Sequence, residues 1–215
     1  TYYSTLFDLK RIRAEKYFHL LQGIPAVLEE HDFRTALVAA LMSVRMNVIA
    51  VSAMLSEMAV DRFGADPAAV TQVRNGIDKN CFYPPSEERN YDGPLRILVE
   101  GAVDAPLKNI AAAIRVARQG GAGEIVLLTP SPIRNHPGVD RVVAQATALQ
   151  AAELCRSCHL LVKTSLSEGM CLPPLEMFHC GGSAVMYALP ALHDYAYDGD
   201  NCLLVAPGDE PAAIA

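Results

Sequence analysis

Short apolar runs alternate with amphipathic stretches along the chain, and this alternation sets the first expectation. Near-continuous apolar runs occur at KYFHLLQ, NVIAVS, VTQVRNG, LRILVEG, EIVLLT, HLLVKTS, SAVMYA and NCLLVA. Runs of this length suit strands of a parallel sheet buried on both faces. Between them, FRTALVAALMS, SAMLSEMAVDRFG, KNIAAAIRVARQG, ALQAAELCRSC and PPLEMFHCG carry helical spacing, and several end in glycine, a common helix stop. Strand–helix alternation of this kind predicts a doubly wound α/β architecture.

One stretch breaks the pattern. NGIDKNCFYPPSEERNYDGP, residues 75–94, is polar, holds three prolines and lacks periodic apolar positions. It reads as an interdomain linker, with three strands before it and five after. Two Rossmann-like domains with parallel sheets are therefore expected. Residues 1–84 are expected in part of one such domain, 85–94 as the linker and 95–215 in the second. TYYSTLF and DEPAAIA leave their elements unfinished, so the expected fold is incomplete at both ends. Neither an internal repeat nor a low-complexity tract is visible.

Composition narrows the function classes. Of 215 residues 51% are apolar and 20% charged, a globular balance, and the net charge of −6 argues against nucleic acid as a partner. A local positive pocket for a small anion remains compatible with that charge. The opening TYYSTLFDLKRIRAEKY has no apolar core of a secretory leader. The most apolar region, TALVAALMSVRMNVIAVSAML, is interrupted by Arg45 and Asn47, short of the ~20 residues a membrane helix needs. A cytoplasmic protein is the default expectation. The six cysteines (81, 155, 158, 171, 180 and 202) are expected as small core residues of a reducing compartment.

Two stretches carry candidate chemistry. CRSCH, residues 155–159, has the spacing that attaches c-type haem. It straddles a helix end and the start of a buried strand, however, and has no second cysteine pair to complete a zinc site. A core or loop role is expected for it. In SLSEGMCLPPLEMFHCGG, a strand ends near Ser165–Ser167, a loop follows, and Pro173 with Pro174 open a helix, where proline's missing N–H is harmless. That turn falls at the carboxyl end of a strand, where open α/β sheets bind ligands. Backbone N–H groups of Gly169 to Leu172 and the helix N-terminus suit an anion. Glu168 precedes the turn and Glu176 is expected in the first helical turn. Acceptors on both sides of an anion-binding turn suit a sugar nucleotide. The plainer alternative, a solvated Glu168 and a Glu176 that only favours the helix start, stays open on these grounds.

Here the residues resemble a family. E-G-M-C-L-P-P-L-E followed by C-G-G-S-A-V resembles the glutamate–seven–glutamate signature of retaining family 4 glycosyltransferases. Other segments follow in the family's order. VRNGIDKNCFYP is similar to its linker segment, and LRILVEGAVDAPLKNIAAAIRVA to the strand, glycine loop and lysine that open its nucleotide-binding domain. LHDYAYDGDNCLLVAPGD is similar to a late segment, and NVIAVSAMLSEMAVDRFG to the last strand–helix unit of the acceptor domain. The likeness spans about residues 47–210. It implies the GT-B fold, with the C-terminal donor-binding domain and part of the N-terminal domain present. The implied activity is transfer of a hexosyl or deoxyhexosyl unit, with retention, from a nucleotide-sugar donor to a polysaccharide, lipid-linked or other glycan acceptor.

The resemblance also implies roles. Glu168 would contact the donor sugar's hydroxyls, with the backbone of Gly169, Met170, Cys171 and Leu172 near sugar and phosphate. Glu176 would hold the ribose. Lys108, helped by backbone at Gly101, would neutralise the diphosphate leaving group, an electrostatic mechanism that needs no metal and no cofactor. A solvated helix-start lysine is the plainer alternative for Lys108. One departure matters: Ala102 stands where the family usually carries arginine. A lost charge-assisted hydrogen bond of that kind is worth roughly 1.5–3 kcal/mol, and Arg134 or Lys163 could substitute. A non-catalytic module of the same fold and a sugar-nucleotide epimerase are the competing readings.

The remaining candidates are weaker. HPGVD around His136 reads as a loop entering a short strand. His31 precedes a helix that Asp32 could cap, and neither His19 nor His31 is assigned as an acceptor-side base. The basic run Lys10, Arg11, Arg13 and Lys16 could touch an anionic membrane surface or a lipid-linked acceptor at the inner face of a membrane. Most such runs are one solvated helix face.

Overall fold

A computed structural model describes residues 13–23, 40, 46–87, 89 and 92–214. The expected helix FRTALVAALMS falls outside these residues except for Ala40, and His31, Asp32, Lys10 and Arg11 fall outside them as well. The chain divides into two compact units, Thr1–Asn75 with Glu168–Met170, and Gly76–Ser167 with Cys171–Ala215.

The first unit is built on a parallel sheet of β1 (Phe18–Leu21), β2 (Asn47–Ala50) and β3 (Val70–Gln72), in that order. In β1 the side chains alternate, Phe18 and Leu20 outward, His19 and Leu21 inward, as a period-two strand requires. Helix α1 (Ala53–Asp61) follows β2 directly. Ser52 caps it by accepting from Leu55 N, which satisfies one donor that the first turn leaves unpaired.

The second unit holds six parallel strands. These are β4 (Arg96–Glu100), β5 (Glu124–Thr129), β6 (Arg141–Ala144), β7 (Leu160–Lys163), β8 (Ser183–Tyr187) and β9 (Cys202–Val205), ordered β6-β5-β4-β7-β8-β9. The chain runs outward from β4 to β6, crosses back to pair β7 with β4, and runs out the other way. The strand order therefore reverses between β4 and β7, in register Leu98 opposite Leu161. The described residues carry six strands here rather than the five expected. The addition is β6, the short strand that HPGVD enters.

Helices cover both faces, as parallel strands require. On one face α3 (Ala148–Ser157) and α4 (Leu172–His179) pack through Ala152, Leu154, Cys155 and Met177 onto Leu98, Val126, Leu161 and Met186. On the other, α2 (Ile110–Gln119) and the short α5 (Glu210–Ile214) cover Ile97, Val99, Leu127 and Val162. Thr147 and Gln150 form a reciprocal capping box at the start of α3. Parallel sheets with crossover helices in both units give the α/β, Rossmann-like architecture of a GT-B fold.

Cys155 and Cys158 of CRSCH lie in the core beneath this sheet, and all six cysteines are buried and outside any disulfide. The Cys155–Cys180 hydrogen bond, then burial, pushes the Cys155 thiol up, and burial pushes Cys158 up to about 11. Such thiols are inert packing groups. Met177 on α4 is fully buried. Met177→Ala is expected to cost about 2–5 kcal/mol in urea unfolding. Leu149→Ala, on the exposed side of α3 at 65% exposure, is expected to stay within about 0.5 kcal/mol.

Candidate functional site

The reversal between β4 and β7 is a topological switch point, and the carboxyl ends of the strands at such a point are where open α/β sheets form their ligand crevice. Two connections border it. After β4, Gly101 adopts φ +148°, and a Cβ there would come within 2.9 Å of Ile110 Cδ1 and 3.1 Å of Lys108 Cβ. Only glycine lets the chain turn so tightly beside Lys108. Lys108 closes the 3-10 turn Pro106–Lys108, and Asn109, left-handed at φ 49°, then leads into α2. Lys108 thus precedes the α-helix rather than opening it.

This turn is tied to the segment that leaves β7. Leu166 N donates to Leu107 O at 2.8 Å, Thr164 Oγ1 to Asn109 O at 2.9 Å, and Asn109 Nδ2 to Thr164 O at 3.2 Å. Three bonds between segments some 55 residues apart hold the Lys108 turn against the β7 exit. Gly101 and Lys108 are thereby brought together at one end of the sheet.

The second connection enters α4. Cys171 is left-handed at φ 58° and offers no side-chain cap. Tyr195 Oη donates to its carbonyl at 2.6 Å, and the Tyr195 ring meets Phe178 edge-on with centroids 6.4 Å apart. The helix begins at Leu172, so Pro173 and Pro174 are its second and third residues. Two of its first three positions therefore lack an N–H, which reduces what the helix terminus can offer an anion. Glu176 is the fifth residue, just past the first turn in which it was expected.

That depth shapes its chemistry. Burial first, and the negative charge of Glu100 second, push the Glu176 carboxyl up to about 7. Glu168, Gly169 and Met170 group with the first unit. There Ser52 Oγ donates to Gly169 O at 2.7 Å, and Asn75 N lies 3.3 Å from Met170 Sδ.

The two side chains proposed to stand in for the missing arginine are placed differently. Arg134 is exposed in the turn after β5. Lys163 is buried and donates to Glu100 at 2.6 Å through Oε2 and at 3.1 Å through the carbonyl. Its charge is committed to a carboxylate. Lys163–Glu100 and Tyr195–Cys171 are contacts that residue patterns alone did not indicate.

His19 is buried in β1, where loss of solvent lowers its proton affinity, a neutral strand residue rather than an exposed base. His136 sits in the turn before β6. The D-x-D spacing Asp198–Gly199–Asp200 belongs to the turn before β9. There Asp198 Oδ1 accepts from Leu204 N, near the amino end of that strand and away from the crevice. Among the described residues no group of three His, Cys, Asp or Glu side chains is arranged to hold a metal, and no helix is long and apolar enough to cross a membrane.

Glu176 binds its proton more tightly when folded than its ordinary value of 4.5 allows. It therefore adds stability below about pH 4.5 that is lost as pH rises through about 7. Glu176→Gln is expected to gain on the native chain by on the order of 2 kcal/mol between pH 5 and pH 8.5. Urea unfolding across that range checks it, and parallel curves for the two proteins would contradict it.

A family model described as glycosyl transferases group 1 matches residues 100–215, more than half the chain and most of the second unit. No curated protein matches the chain in sequence. Among solved structures, sucrose-phosphate synthase from Thermosynechococcus elongatus superposes with a TM-score of 0.77 at 17% identity, over 99% of this chain and 60% of that one. Anabaena HepE in complex with UDP-glucose gives 0.73 at 16%, over 91% and 59%. A TarM variant of S. aureus, in complex with fondaparinux, alpha-GlcNAc-glycerol and UDP, gives 0.64 at 13%, over 93% and 42%. The chain thus spans about 60% of the length of the first two structures. At these identities the likeness is one of fold.

Proposed function

The chain belongs to the group 1 glycosyl transferases, and on that premise we propose that it binds a nucleotide-sugar donor in the β4–β7 crevice and transfers the sugar, with retention, to a glycan or lipid-linked acceptor. The observation that carries this reading is the Gly101–Lys108 turn, clamped to the exit of β7 at the point where strand order reverses. In this reading Lys108 neutralises the diphosphate as the bond to the sugar breaks. A positioned ammonium at developing negative charge is an electrostatic route to a lower barrier. Because prolines thin the donors at the start of α4, Lys108 carries more of that task. Glu176 accepts from the ribose and Glu168 from the sugar. No metal ion is needed for these roles.

The HepE structure is a complex with UDP-glucose and the TarM structure a complex with UDP, which makes uridine nucleotides the first donors to test. A second reading, a binding module without turnover, is favoured by one observation. Ala102 replaces the family's arginine, and the buried Lys163 that could compensate is held by Glu100. Sugar-nucleotide turnover by the chain would remove it.

Calorimetry with UDP, GDP and dTDP is expected to detect binding of at least one. Lys108→Ala and Glu176→Ala should each weaken it by about tenfold to a hundredfold, and EDTA should leave it unchanged. Absence of binding by all three would overturn the proposal.

A further inference from the structure

The carboxyl ends of β4 and β7 carry a charged pair that the roles above leave unused. Side chains alternate between faces along a strand, and here the faces are identified by packing. Leu98 and Leu161 face α3 and α4, whereas Val99 and Val162 face α2 and α5. Glu100 and Lys163, the last residues of their strands, therefore return to the α3–α4 side, the side of Glu176. Thr164 turns back toward α2, donating to Asn109 O, and Ser165 follows it, two residues after Lys163. Ser165 is 1% exposed, and its Oγ has no hydrogen-bond partner among the described residues.

The pair is asymmetric in solvent access. The Lys163 side chain is 3% exposed and Glu100 18%, with Nζ and Oε2 2.6 Å apart. The ammonium is sealed and the carboxylate is partly exposed. A short charge-assisted bond to a buried cation fixes that carboxylate in place. A carboxylate repels a diphosphate, so the ligand group it suits is a hydrogen-bond donor. Glu176 responds to the charge of Glu100, which puts both carboxylates within electrostatic reach of one ligand. A buried hydroxyl without a partner is rare in folded proteins and calls for one, and Ser165, two residues after Lys163, supplies such a hydroxyl.

Resting on the donor-binding reading above, we propose that Glu100 and Ser165 form a subsite for one hydroxyl of the donor, the ribose 2′-hydroxyl or a hydroxyl of the sugar, and that Lys163 is the positioning residue that fixes the Glu100 carboxylate. This assigns a specificity role to the residue just before Gly101 and gives the buried lysine a task other than phosphate binding.

Calorimetry on the 215-residue chain tests it with UDP, 2′-deoxy-UDP and UDP-glucose, and with GDP, 2′-deoxy-GDP and GDP-mannose. Glu100→Gln keeps the side chain's shape and is expected to weaken binding about tenfold only for ligands that carry the recognised hydroxyl. A loss with UDP or GDP but not with the 2′-deoxy form identifies the ribose. A loss with the sugar nucleotide but not with the bare diphosphate identifies the sugar. Ser165→Ala should lower affinity for the same ligand by about threefold. In the Glu100→Gln background, Lys163→Met should cost no further affinity, whereas additive losses would overturn its positioning role. Native affinity in both Glu100→Gln and Ser165→Ala, or equal losses for every ligand, would overturn the subsite while the donor-binding reading stands. Failure of the native chain to bind any of the six, or dTDP, would overturn that reading as well.

Discussion

Parallel strands cannot be joined by tight turns, and the second unit is organised by that constraint. Every connection from β4 to β9 crosses a face of the sheet, so both faces are covered and both must be apolar. The crossovers run one way from β4 and the other way from β7, which opens a single place where two loops diverge. The residues with chemistry collect there because backbone ends, glycine turns and polar side chains are tolerated only where the apolar layers stop. Gly101, Lys108, Glu100 and Lys163 all lie within a few residues of that boundary.

Burial decides what each charged group near the boundary can do. Lys163 is too deep to meet water and pairs with Glu100. Glu176, set one turn into α4 instead of at its start, holds its proton to near neutrality. A buried ion pair adds little net stability, because desolvation offsets the attraction, so its retention is better explained by the position it gives a carboxylate. The cysteines show the opposite outcome. CRSCH has the spacing of a cofactor site, yet Cys155 and Cys158 face the leucines of β4 and β7, where a small apolar side chain is what the packing needs.

Much of this was legible from local pattern. Strands β4, β5, β7, β8 and β9 announced themselves because burial on both faces forces continuous apolar runs. Edge strand β6 offers only three apolar residues, each partly exposed, and so escaped the count of strands. Lys108 and the glycine turn were readable from their order along the chain. The start of α4 was misjudged by a residue or more, because the left-handed Cys171, held by Tyr195 from 24 residues away, sets it. Proline preference alone could not locate that start.

Sequence by itself determined the alternation of strands and helices, the turn residues and the candidate motif, since each depends on neighbours a few positions away. Tertiary structure decided which of those residues meet. Glu100 and Lys163 are 63 positions apart, and Thr164 and Asn109 are 55. Their contact requires that β4 and β7 be adjacent, which strand order dictates and no local pattern encodes. The same adjacency decides one of the alternatives that charge and spacing left open. Lys163, near the candidate phosphate-binding loop, looks like a phosphate ligand until the neighbouring strand supplies the carboxylate that holds it.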